Sequence, residues 1–214
     1  MKKITLIIVA LLFFQFSHAQ KNIIKISPLG LTWGEYNLQY ERMITDYTSA
    51  SISASYIQPN FLQNEIFEVL ENYGITRTCN GGAVRLDYRM YSKNKPGPQG
   101  FYIGPYLRYT GLGYIINIDD LQFAPLESGI DNLESGFRFA QMGLGVKLGA
   151  QWLLFDCVTI DWNFFGLGVD YYLLKLYSEG TTTLAGEPKS VQKIDKTDFF
   201  LPGISGGFAI SYAF

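Results

Sequence analysis

The chain has 214 residues, of which 48% are hydrophobic, 16% aromatic and only 17% charged, with a formal net charge of −2. That length suits one domain, and the apolar fraction excludes a disordered tail or a basic nucleic-acid arm. Soluble domains carry about a quarter charged residues, so the 15 Tyr and 16 Phe here need a setting other than an ordinary water-facing surface.

The first segment reads as an export signal. Lys2 and Lys3 form a positive start, Ile4 to Phe14 an apolar run, and Ser17-His18-Ala19 ends on the small residue that signal peptidase requires. The run is shorter than the roughly 20 residues of a membrane-spanning helix, and no Cys follows it to carry a lipid. Residues 1–19 are expected to be cleaved and 20–214 to form the mature domain. Cleavage removes two of the 17 basic residues and the single histidine, His18, and leaves all 19 acids. That acidic remainder argues against nucleic acid as a partner. Without His there is neither a Ser-His or Cys-His pair nor a His-ligated zinc. No catalytic, cofactor-binding or metal residue is therefore expected.

Along the mature chain the recurring pattern is period two. Tyr36, Leu38 and Tyr40 alternate with Glu35, Asn37, Gln39 and Glu41, and Ser49, Ser51, Ser53 and Ser55 alternate with Ala50, Ile52, Ala54 and Tyr56. Val84, Leu86, Tyr88 and Met90 alternate with Arg85, Asp87 and Arg89. Met142, Leu144, Val146 and Leu148 alternate with Gly143, Gly145 and Lys147. Each segment reads as an antiparallel strand with one apolar face and one polar or small face. Eight strands are expected, near 22–31, 34–42, 48–57, 79–91, 100–114, 137–152, 158–173 and 200–214, with a bulge at Phe164-Phe165 where the phase slips. The connections alternate in length. Met43–Tyr47, Ser92–Gln99 and Leu154–Cys157 are short, whereas Gln58–Thr78, Ile115–Ser135 and Leu174–Asp198 are long. The first hairpin, around Thr32-Trp33, is short although it falls on the long side. A short amphipathic helix is expected within Phe61 to Tyr73. The fold class is all-β: an eight-stranded antiparallel up-and-down transmembrane β-barrel with three long extracellular loops.

Such an alternation also suits a soluble barrel with its apolar face inward, so the orientation must be argued. The polar face is rich in Gly and Ser, which suit the narrow interior of eight strands. Tyr36, Tyr40, Tyr88, Tyr109, Trp152, Trp162 and Tyr171 lie on the other face, where amphipathic rings suit the two membrane interfaces. Phe208, Ile210, Tyr212 and Phe214 alternate up to the end of the sequence and resemble the signal read by the barrel-insertion machinery of Gram-negative outer membranes. Apolar side chains are therefore expected to face lipid. In that phase Lys25, Arg85, Arg89, Arg108 and Lys147 point inward, as do Glu35, Glu41, Asp87, Asp161 and Asp170. Five bases and five acids balance, as a closed, salt-bridged interior requires, and a plug of ion pairs is expected rather than a general pore.

The chain resembles the small eight-stranded outer-membrane barrels of the OmpA/OmpX type. It is most similar to a barrel family of the Bacteroidota known only as a domain of unknown function. The residues that carry this are Ile26-Ser27-Pro28-Leu29-Gly30, Tyr40-Glu41-Arg42 and the stretch from Gly100 to Tyr109 that follows the Pro-Gly turn. The resemblance implies fold and location in the outer membrane and brings no catalytic residue. Barrels of this size include lipid-modifying enzymes, but those resemble one another in using a histidine, which the mature chain lacks.

Cys79 and Cys157 are expected at opposite ends of the barrel, too far apart for a disulfide. Asp119, Asp120, Glu127, Asp131 and Glu134 lack calcium-loop spacing and read as a solvated acidic loop. Gly143-x-Gly145 and Gly166-x-Gly168 lie inside strands, where glycine makes room. The functional expectation is a non-enzymatic barrel with an envelope-structural or surface-interaction role carried by its long loops. Its expected partners are outer-membrane lipid and lipopolysaccharide, the insertion machinery during biogenesis, and an extracellular protein or surface ligand. A lipid-modifying enzyme and a soluble periplasmic lipid-binding barrel are the alternatives.

Overall fold

Eight antiparallel strands follow one another in chain order, each hydrogen-bonded to its neighbour in sequence, and the eighth returns to the first to close a barrel. They are β1 (Asn22–Ile26), β2 (Glu35–Thr45), β3 (Thr48–Ile57), β4 (Ile75–Tyr91), β5 (Gly100–Phe123), β6 (Ser128–Leu154), β7 (Val158–Leu184) and β8 (Glu187–Ala213). The structure is a computed structural model that describes residues 21–58, 75–93, 97–123, 128–154, 157–184 and 187–214. The expected export signal at 1–19 and the amphipathic stretch at 61–73 lie outside the described residues.

The alternation of the sequence becomes an inside and an outside. Ser49, Ser51 and Ser53 are buried in the barrel, while Ile52 and Tyr56 between and beyond them are about half exposed. Leu144, Val146, Ile210 and Tyr212 all lie on the outer face. The ring is closed by β1 against β8, with Ile23 opposite Ala213 and Ile26 opposite Ile210. Asn22 and Phe214 extend this seam by exchanging two main-chain hydrogen bonds of 3.0 and 2.8 Å. On β7 the register shifts between Asn163 and Gly166, so Phe164 and Phe165 both face outward, a bulge at the place where the sequence slips phase.

Two expectations are corrected. The first strand does not run to residue 31: it stops at Ile26, and Pro28–Thr32 forms a single helical turn, α1. Pro28 has no amide proton to give a ladder and its fixed φ suits the first turn of a helix. Thr32 Oγ1 donates to the Leu29 carbonyl at 2.7 Å. Gly34, at φ 79°, then supplies the left-handed residue that turns the chain into β2.

The second correction concerns the long connections. Segments 115–135 and 174–198 are strand over most of their length, not irregular loops. Pairing continues from Ile115 opposite Gly136 to Phe123 opposite Ser128, and from Leu174 opposite Thr197 to Leu184 opposite Glu187. β6 and β7 pair alongside as far as Gly129 and Thr183, and β4 joins β5 from Ile75 opposite Ile118. A sheet made of β4 to β8 therefore rises past the ring on one side, at the end away from the short turns. The stretch Gln192–Lys196 is exposed at every position and shows no alternation, because a sheet wetted on both faces has no apolar side to mark. Phe199 and Phe200, adjacent in sequence, are both exposed there.

Candidate functional site

The lumen encloses a polar space that divides into a filled floor and a cavity above it. Near the short turns, Tyr91 and Tyr102 meet edge to face with centroids 5.5 Å apart, over Met43. Directly above lies a network drawn from six strands. Lys25 Nζ donates to Asp161 Oδ2 and Gln151 Oε1 at 2.6 Å each, and its ion pair with Glu41 measures 2.5 Å. Arg89 Nη1 reaches the same Asp161 oxygen at 2.6 Å and Glu41 at 3.3 Å. The tyrosines close the network, Tyr91 Oη donating to Glu41 at 2.6 Å and Tyr102 Oη to Asp161 at 2.8 Å. Arg89 also lies 4.5 Å from the centre of the Tyr102 ring. Lys25, Glu41, Arg89 and Asp161 are each under 5% exposed. Charges so enclosed persist only where each is matched and hydrogen-bonded.

Two further pairs stand higher in the wall. Lys147 Nζ meets Asp87 Oδ2 at 2.8 Å, and Ser51 Oγ donates to that same oxygen at 3.0 Å. Arg108 grips Asp170 through Nε, at 3.1 Å, and Nη2, and Gln141 Nε2 adds a bond of 3.0 Å. Asp170 has room because its neighbours are glycines: a side chain at Gly143 or Gly203 would run into its carboxylate. Likewise a Cβ at Gly145 or Gly168 would come within 2.8 or 2.7 Å of Tyr106. Small residues in β6, β7 and β8 thus face larger ones, Tyr106 of β5 and Asp170 of β7, which is how a narrow lumen is filled.

The structure therefore brings eight of the ten inward charges together in pairs and leaves two apart. Glu35 sits near the upper rim and accepts from Ser55 Oγ at 2.7 Å. Arg85 is half-buried and makes no ion pair among the described residues. Sequence reasoning missed Tyr91, Tyr102 and Tyr106 as interior groups, because aromatic side chains were assigned to the outer face. The signal was present, since Tyr91 lies two residues beyond Arg89 and so shares its face. Cys79 and Cys157 are unbridged, one paired with Tyr114 beyond the ring and the other in the turn beside Ala213. Glu134 lies in β6 rather than in a loop. No metal-holding group of His, Cys, Asp or Glu occurs among the described residues.

Above the floor a cavity of about 290 Å³ is lined by Asn37, Gln39, Ser53, Arg85, Arg108 and Thr110, with Arg89, Lys147 and Asp161 at its base. Ile57, Val84 and Phe208 also line it, beside these polar groups.

No protein-family model and no curated protein matches the chain. Among solved structures it is similar to the crystal structure of a major outer membrane protein from Thermus thermophilus, at 14% identity and a TM-score of 0.45. The match covers 92% of this chain and 100% of that one.

Proposed function

We propose that the protein is an integral barrel of the Gram-negative outer membrane, without enzymatic activity. Its role in the cell envelope is then structural, or one of surface interaction through the sheet that rises past the ring. The observation that carries this is the outer wall. Ile24, Leu38, Ile52 and Leu86 on the first four strands are 43–59% exposed. Leu107, Leu144, Leu167 and Ile210 on the other four are 41–65% exposed. An apolar belt that runs through every strand exceeds any patch a water-soluble monomer carries, and lipid is the solvent that accepts it on all sides. Among the described residues, exposed charges on the outward positions lie toward the strand ends, Arg42 near the short-turn rim and Arg138 and Asp198 toward the risen sheet.

Outer-membrane lipid and lipopolysaccharide then surround the belt, the insertion machinery acts during biogenesis, and a protein or surface ligand meets the risen sheet. Phe208, Ile210, Tyr212 and Phe214 serve as the insertion signal in this reading. The filled floor supports a closed barrel over a general pore. Membrane fractionation followed by a gel with and without boiling tests the reading. Sedimentation with membranes, extraction only by detergent and a mobility shift on heating are expected. A freely soluble band that ignores heating overturns it.

A further inference from the structure

The charge inventory of the upper lumen does not close on itself. Three of the four cations that line the cavity have a carboxylate: Arg89 has Asp161, Lys147 has Asp87 and Arg108 has Asp170. Arg85 has no carboxylate at ion-pair distance among the described residues: Asp87, two residues along the same face, feels its charge but is paired with Lys147, and the guanidinium carbon lies 5.8 Å from the centre of the Tyr106 ring. Arg108 approaches the same ring at 5.9 Å. The register places Arg85 directly opposite Arg108 on β5, an arrangement of like charges that is unfavourable unless something lies between them. Glu35 does not serve. It is in register with Ile57, itself opposite Gly81, four residues from Arg85 on β4 or roughly 13 Å of strand.

We infer that the upper lumen binds a small oxyanion of the phosphate or carboxylate kind, held by Arg85 with Arg108 beside it. A guanidinium offers donors in a planar fork that matches two oxygens of one such anion. Ser53, opposite Arg85 on β3, adds a hydroxyl to the same level of the wall. The cavity, at about 290 Å³, sits at the small end of ligand pockets and admits a phosphate or a short dicarboxylate with its water. Its lining of Asn37, Gln39, Ser53 and Thr110 favours a polar ligand over a greasy one, and the Glu35 carboxylate, which also lines it, stands at the rim away from Arg85. The inference concerns the interior and stands whether or not the outer wall meets lipid.

The test is calorimetric titration of the full chain, folded in detergent at low salt, with inorganic phosphate and separately with succinate. Saturable binding of at least one of them at a single site, with Kd below about 1 mM, is expected. Arg85→Gln is expected to weaken it at least about tenfold, and Arg85→Lys by less. Lys193→Gln, which removes an exposed cation outside the barrel, leaves it unchanged. Ser53→Asp supplies Arg85 with a carboxylate and abolishes binding even if Arg85→Gln does not fold. Preference for phosphate or for succinate assigns the anion. Absence of saturable binding for both, or equal weakening by Arg85→Gln and Lys193→Gln, overturns the inference.

Discussion

Lys25 and Asp161 stand 136 residues apart in sequence and meet at 2.6 Å in the floor of the lumen. One belongs to β1 and the other to β7, so the bond spans the strand between them and ties the ring across its seam. Arg89 of β4 binds the same carboxylate oxygen from the far side. Replacing Asp161 by Asn leaves Lys25 and Arg89 to share Glu41 alone. Breaking a buried pair by removing one partner costs about 3–5 kcal/mol. The urea midpoint of the refolded barrel is expected to fall accordingly, and a midpoint unchanged from the parent would show that the network adds nothing.

The outer wall gives a prediction of opposite chemistry. Leu144→Arg places a cation on the belt, where the cost for a barrel in lipid is about 2–4 kcal/mol near the bilayer midplane. Ile194→Arg makes the same change on the risen sheet, where Ile194 is already 51% exposed, and is expected to stay within about 0.5 kcal/mol. Folding titrations into vesicles measure both. Equal tolerance of the two arginines would mean that the belt faces water.

The glycines of the lumen should divide by what they face. Gly168→Ala would set a methyl 2.7 Å from Tyr106 Oη and closer still to the Leu144 carbonyl. Overpacking of that kind costs about 1–3 kcal/mol. Gly207→Ala meets nothing within 4 Å and should be nearly silent. Thermal or denaturant unfolding of the two variants side by side decides, and a silent Gly168→Ala would contradict the packing of Tyr106 described above.

The risen sheet should be reachable from outside the cell. Lys193 and Lys196 lie exposed on β8 beyond the ring, and Lys193 has 75% of its side chain in contact with solvent. Trypsin added to intact cells is expected to cut there and to leave the barrel as a protected fragment, read by mass spectrometry. Cleavage that appears only after lysis would count against a risen sheet exposed outside the cell.

The walls of the ring were legible because each strand between the rims has two unlike environments, as Ser51 and Ile52 illustrate. The phase slip at Phe164-Phe165 was legible for the same reason. The extension of β5 to β8 was not, since Lys193, Asp195 and Thr197 meet the same solvent as their neighbours. Interior pairing was only partly legible. Periodicity says that a charge points inward, but the stagger between strands decides which partner it meets, so Lys25 finds Asp161 across β8. Counting five acids against five bases suggested complete neutralisation. The register separates Glu35 from Arg85 and leaves the guanidinium without an ion pair among the described residues.

The two joints of β1 are shorter than those of the other strands. β7 and β8 run together from Val158 to Leu184, whereas β1 holds β8 through Ile23 to Ile26 and the Asn22–Phe214 exchange, and holds β2 through Asn22 to Ile26. The molecule is thus a curved sheet fastened by a short clasp. Assembly can complete the joints from β2 to β8 before the clasp engages, and mechanical or thermal opening meets least resistance on either side of β1.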